Sequence, residues 1–216
     1  MKRFLLFLAA FSFLAVSVVR ADVYGFDKAH SQIGFAVRHI LSPVHGEFKD
    51  YDGTIHFNPK NPVASKINVT IQAASISTDN DMRDHHLMSK DFFDVGKYPT
   101  ITFKSSKVTA TGENKFKVEG SLTIHGVTKP VVLDVDYDGT DVMMGNPIAG
   151  FSATAKIDRR DFGLVWNQAL ASGNLMVGND VTINLDISLM TKAGLEKMKK
   201  MMSQPKTAPK EAPKTK

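Results

Sequence analysis

Val181-Thr182-Ile183-Asn184-Leu185-Asp186-Ile187-Ser188-Leu189 puts an aliphatic residue at every second position and a polar one between. In an extended chain successive side chains leave opposite faces, so this stretch reads as a strand with one apolar and one hydrated side. The same spacing recurs in Ile33-Phe35-Val37, Ile55-Phe57, Ile67-Val69-Ile71, Ile101-Phe103, Phe116-Val118, Leu122-Ile124, Val131-Leu133-Val135 and Phe151-Ala153-Ala155-Ile157. Turn signals separate these runs: Asp52-Gly53, Asn58-Pro59, Thr111-Gly112-Glu113-Asn114, His125-Gly126, Asp138-Gly139 and Gly145-Asn146-Pro147. The series predicts an all-β domain of eight or more antiparallel strands. Alternation alone suits a closed barrel or a sandwich equally.

Residues 78–95 break the rhythm: they are polar, rich in Asp, His and Met, and lead to Phe92-Phe93. An irregular excursion with a short helix is expected there. At the N-terminus, Lys2 and Arg3 precede a sixteen-residue apolar run, Phe4 to Val19, followed by Arg20-Ala21. This is the layout of a secretory signal, with cleavage expected between Ala21 and Asp22. As a helix the run would span about 24 Å, short of a ~30 Å hydrocarbon core. The domain boundaries read as a signal over 1–21, a β domain over 22–191, and a basic, Pro/Lys-rich, largely disordered tail over 192–216. The tail opens with an amphipathic turn or two around Leu195, Met198 and Met202.

The formal charge of +5 suggests nucleic acid until it is divided along the chain. Residues 1–21 carry three basic groups and no acid, and residues 192–216 carry eight lysines against two glutamates. The remaining segment holds 16 basic and 20 acidic residues, a balance of −4. The domain itself is mildly acidic and shows no basic groove with interleaved aromatics, so nucleic acid is not an expected partner. Cysteine is absent, which excludes disulfides and a cysteine-linked lipid anchor.

Seven histidines invite a metal reading, but none is paired at helical i, i+4 spacing, and the adjacent His85 and His86 diverge on any regular element. No metal site is assigned. Arg83, in Met82-Arg83-Asp84-His85-His86-Leu87, could clamp a polar head group with its planar fork, or could simply pair with Asp84 and cap a helix. No Gly-x-Ser-x-Gly elbow and no cysteine nucleophile occur, so catalysis is not expected. The phenylalanines outside the signal would ordinarily be core. An eight-stranded barrel can be filled by such residues or left open around one small ligand.

These residues resemble the YceI family of polyisoprenoid-binding proteins, which have lipocalin-like barrels. The resemblance runs from about Val23 to Leu189 through ordered motifs: Asp27-Lys28-Ala29-His30-Ser31-Gln32-Ile33-Gly34-Phe35, Ala74-Ser75-Ile76-Ser77-Thr78, Arg83-Asp84-His85-His86-Leu87, Asp91-Phe92-Phe93-Asp94, Tyr98-Pro99-Thr100-Ile101-Thr102-Phe103, Gly120-Ser121-Leu122-Thr123-Ile124-His125-Gly126 and Ile157-Asp158-Arg159-Arg160-Asp161-Phe162-Gly163. The family's central arginine and histidine fall on Arg83 and His86. The resemblance implies an extended, hollow barrel of about eight strands that encloses an isoprenoid lipid, such as a polyprenyl phosphate or quinone, or a similar long amphiphile. It points to Phe35, Ile71, Phe92, Phe93, Phe103, Leu133 and Trp166 as an apolar pocket, with Arg83, Asp84 and His86 at the polar rim. The lipid is then the only bound group, with no further cofactor. With the export signal, the expected setting is the periplasm and the expected role a non-enzymatic carrier; an enzyme or metal-dependent catalyst acting on such a lipid inside the barrel is the alternative. Transient contact of the basic tail with a membrane surface and a homodimer are the other partnerships left open.

Overall fold

The computed structural model describes residues 22–203. The signal through Ala21 and the Pro/Lys-rich end of the tail therefore lie outside the described residues. The strands are β1 (Asp22–Phe26), β2 (Gln32–His39), β3 (Ser42–Phe48), β4 (Tyr51–Phe57), β5 (Lys66–Gln72), β6 (Ile76–Ser77), β7 (Thr100–Gly112), β8 (Lys115–Ile124), β9 (Val127–Met143), β10 (Asn146–Asp158) and β11 (Val177–Thr191). Helix α1 (Asp81–Met88) lies between β6 and β7, and α2 (Lys192–Ser203) follows β11.

These eleven strands form eight staves. β1 and β2 lie end to end along β11, β3 and β4 continue one another, and β5 is extended by β6; the ring closes where β1 pairs with both β4 and β11. Every neighbouring pair is antiparallel and follows chain order, so the fold is an up-and-down barrel, and the sandwich alternative falls away. Closure removes the unpaired edges an open sheet would present. The break between β1 and β2 is mended by a side chain. The Ser31 hydroxyl accepts from the Ser188 amide at 3.0 Å and donates to its carbonyl at 2.9 Å, in place of ladder bonds.

The alternation read from sequence sorts the two barrel faces. Ile33, Phe35, Ile71, Phe103, Val118, Leu133, Ile183 and Leu185 point inward. The outer face carries exposed cross-strand pairs such as Lys115–Asp136 at 2.5 Å and Lys117–Asp134 at 2.6 Å. This outer surface differs from the apolar band of a barrel that faces lipid. Among the described residues no helix is long and apolar enough to cross a membrane.

Helix α2 is longer than the one or two turns expected. It lies on the outside of β1 and β11, where it covers Met190, which is 0% exposed. Gly25 makes the approach possible, because a Cβ there would stand 2.9 Å from Leu195 Cδ1. A helix extending the last stave thus buries an outward-facing apolar patch that the strand pattern by itself does not explain.

Candidate ligand-binding site

Helix α1 begins at Asn80, whose side chain accepts from the Arg83 amide at 3.0 Å, and Asp81 and Asp84 in its first turn suit the positive end of the helix. It ends at Ser89, whose amide and hydroxyl both donate to the His86 carbonyl. The following turn returns Phe92 and Phe93 to the barrel, with Phe93 edge-on to Phe48 at 5.8 Å. The β10–β11 connection, residues 159–176, crosses the same end. Trp166 bridges the two segments: its ring meets His86 at 4.8 Å and Phe92 at 5.3 Å.

Beneath these segments lies a cavity of about 700 Å³, within the ~300–1,000 Å³ range typical of ligand sites. Its wall is almost wholly aliphatic and aromatic. Phe35, Ile71, Phe92, Phe93, Phe103, Leu133 and Trp166 all border it, as do Arg83 and His86. Gly120 gives the Phe103 ring room to lie against the wall, since a Cβ there would come within 2.5 Å of the ring. At the far end Phe57 sits among Tyr24, Tyr137 and Phe151, with ring centroids 5.1 to 5.9 Å away, and these rings crowd the axis as a floor. At the near end the lining includes exposed Met82 and half-buried His39 and Met176, so this end is the mouth.

Asp84, expected at the rim, does not border the cavity. Its buried carboxylate accepts from the Thr78 amide at 2.9 Å and from the Thr78 hydroxyl at 2.5 Å. Arg83 does not pair with Asp84 directly either. Its Nε donates to Thr78 Oγ1 and its Nη2 to the Thr78 carbonyl, each at 2.7 Å, which leaves Nη1 uncommitted. Thr78 therefore fixes the fork, and Asp84 fixes Thr78, because a buried carboxylate must find donors. His86 makes a 3.0 Å contact from Nε2 to Asp91.

Arg159 is the functional residue that sequence reading leaves without a role. It is 4% exposed and borders the cavity. Its Nε donates to the Gly178 carbonyl at 2.8 Å, Nη1 to the carbonyls of Trp166 (2.9 Å) and Leu164, and Nη2 to that of Val177 at 3.4 Å. Burial pushes its guanidinium below the ordinary value, partly offset by nearby Asp158. One side chain thus ties both ends of the 164–178 connection. The available signal was an arginine directly after an alternating strand and four residues before Gly163, whose φ of 78° ends the turn.

A YceI-like domain profile matches residues 24–189. The chain belongs to the YceI family. The protein YceI of Escherichia coli O6:H1 is 44% identical over 170 residues, which cover 76% of this chain and 88% of that protein. The crystal structure of the Campylobacter jejuni YCEI protein superposes with a TM-score of 0.62 at 38% identity, covering 77% of this chain and 96% of that one. A polyisoprenoid binding domain from Saccharophagus degradans shares the fold at a TM-score of 0.58 and 16% identity, covering 78% of this chain and 98% of that domain. In this YceI-family barrel, Arg83 and His86 stand at the mouth and Asp84 behind it.

Proposed function

We propose that this chain is a periplasmic, non-enzymatic carrier that encloses the chain of an isoprenoid lipid, a polyprenyl phosphate or quinone, or a similar long amphiphile, for transport, storage or scavenging. The observation that carries this reading is the cavity: about 700 Å³ of apolar lining with a guanidinium at its mouth. A long apolar tail fills the barrel toward the aromatic floor, and its head meets Arg83 Nη1. The polyisoprenoid-binding description of the Saccharophagus degradans domain supports the ligand class. The signal-like residues 1–21 support the periplasmic setting.

Burying alkyl groups from water yields about 0.8 kcal/mol per CH₂, but a lipid drawn from a bilayer already lies in hydrocarbon. Selection against the bilayer therefore falls on shape and on the head group. Arg83→Ala is expected to weaken capture of a polyprenyl phosphate from vesicles more than binding of the same lipid dispersed in detergent. Equal losses in the two titrations would contradict an Arg83 head-group contact.

A further inference from the structure

The two-residue turn between β2 and β3 is chemically odd. Ile40 and Leu41 form it, with Ile40 at φ 57° and no positive φ at Leu41. That first turn position favours glycine, and a β-branched residue there is strained. Neither side chain gains core burial in return: Leu41 is 91% exposed and Ile40 38%, and neither borders the cavity. The Ile40 amide donates to the Met176 carbonyl at 2.7 Å, which joins this tip to the β10–β11 connection, where Val165 and Leu175 are also exposed.

The charge pattern around these four residues is one-sided. Residues 162–179 contain no charged side chain, and residues 38–46 contain Arg38, His39 and His45 but no acid. Aliphatic tips backed by the Arg38 guanidinium, two imidazoles and no carboxylate suit insertion among acyl chains, with Arg38 at the phosphates. Across the mouth, exposed Met82 directly follows Asp79-Asn80-Asp81, so two carboxylates adjoin it and it lacks that complementarity. Exposed Val63, Val142 and Met144 lie at the opposite end, where Pro62 and Ser65 beside Val63 also border the cavity, but Asp138 and Asp141 put carboxylates next to Val142 and Met144.

We propose that the β2–β3 tip, together with Val165 and Leu175, docks on a phospholipid bilayer and sets the cavity mouth against the membrane. The apolar rim then joins the acyl region to the apolar cavity, so a lipid tail crosses without passing through water. The purpose of docking rests on the carrier reading; docking itself does not, because it can be measured on vesicles that contain no isoprenoid.

Trp166, the only tryptophan, lies at this mouth and serves as the reporter. The chain from Asp22 to Lys216 is titrated with phosphatidylcholine vesicles carrying brominated acyl chains, with and without phosphatidylglycerol. Quenching of Trp166 and co-sedimentation are expected on both compositions. Ile40→Gly/Leu41→Ser, which restores the residue types the turn favours, is expected to lower vesicle partitioning at least tenfold, with thermal stability and binding of detergent-dispersed polyprenyl phosphate retained. A chain ending at Ser203 is expected to keep its quenching on pure phosphatidylcholine, which separates the tip from the basic tail. Unchanged partitioning of the double variant would overturn the proposal. So would self-association that the double variant abolishes in the absence of vesicle binding, which would assign the face to a second copy of the chain.

Discussion

The two ends of the barrel are held differently, the floor by aromatic packing and the mouth by aromatic packing with polar anchors added. At the floor, Tyr24, Phe57, Tyr137 and Phe151 meet ring to ring, and Tyr24 and Phe57 are each buried, at 2% exposure. At the mouth, the aromatic contacts of Trp166 with His86 and Phe92 are joined by polar anchors: Arg83 and Asp84 converge on Thr78, and Arg159 gathers four carbonyls. Apolar burial at the floor is continuous with the strand core, so floor and barrel stand or fall together. A carbonyl-anchored connection can open locally while the staves remain paired. The floor is thus the permanent wall, and the mouth is the part able to admit a ligand.

The largest expected effect separates the ends by stability. Phe57→Ala removes a buried ring from the floor, and truncations of this kind cost about 3–5 kcal/mol. Urea unfolding should show that loss for the whole barrel, and the deepened cavity should accept longer chains than before. A negligible change in midpoint would mean that the floor is not part of the cooperative core. Next comes Arg159→Met, which keeps volume but removes the guanidinium from four carbonyls, of which Val177 retains a side-chain donor in Asn167 Nδ2 at 2.7 Å. Buried acceptors left unpaired cost about 1–3 kcal/mol, and here the 164–178 connection can relax into water. About 2 kcal/mol of global destabilisation is expected, with hydrogen exchange accelerated most over residues 164–178. Uniform acceleration along all staves would contradict a local anchor.

The smallest effect concerns Asp158, which caps the turn that carries Arg159. Hydrogen bonds from the Arg160 side chain and amide lower its pKa from 3.8 to about 2. A carboxyl whose folded pKa is depressed contributes stability above its unfolded pKa and loses it as pH falls through the folded one. The contribution is therefore complete above about pH 4 and fades toward pH 2. Because the pair is exposed, the shift in melting temperature should be slight and smaller still in high salt. An Asp158→Asn variant should lose slightly less stability than the parent over the same interval, the other carboxylates still titrating, and an acid response identical to the parent's would remove Asp158 as a contributor.

Much of the barrel was legible because strand periodicity is a local property. Ile183, Leu185 and Ile187 declare their shared face without reference to any partner. Closure was not local: it depends on β1 meeting both β4 and β11, a contact between chain ends that alternation cannot encode. Alternation put Phe35, Phe103 and Leu133 each on the apolar face of its strand, but their assignment to a pocket came from the resemblance to the YceI family, because periodicity does not say which face turns inward or whether the barrel is hollow. The mouth was harder. Asp84 and Arg83 are adjacent in sequence, which suggested a pair at the rim; the position of Thr78, six residues before Asp84, draws the carboxylate inward instead. Arg159 escaped because its partners are backbone carbonyls at Leu164, Trp166, Val177 and Gly178, and main-chain acceptors leave no mark in side-chain chemistry. Helix α2 showed its amphipathic spacing, but its extent followed from the patch at Met190 and the gap at Gly25.

The central claim is that the cavity holds a long-chain lipid. It is tested most directly by purifying the chain from its own host without detergent and recording its native mass, followed by solvent extraction and identification of what is released. The account expects one amphiphile per barrel, with an isoprenoid or comparable long chain, lost on denaturation and regained on adding the extracted lipid. A barrel of bare polypeptide mass that takes up no added polyprenyl phosphate, quinone or fatty amphiphile would contradict it.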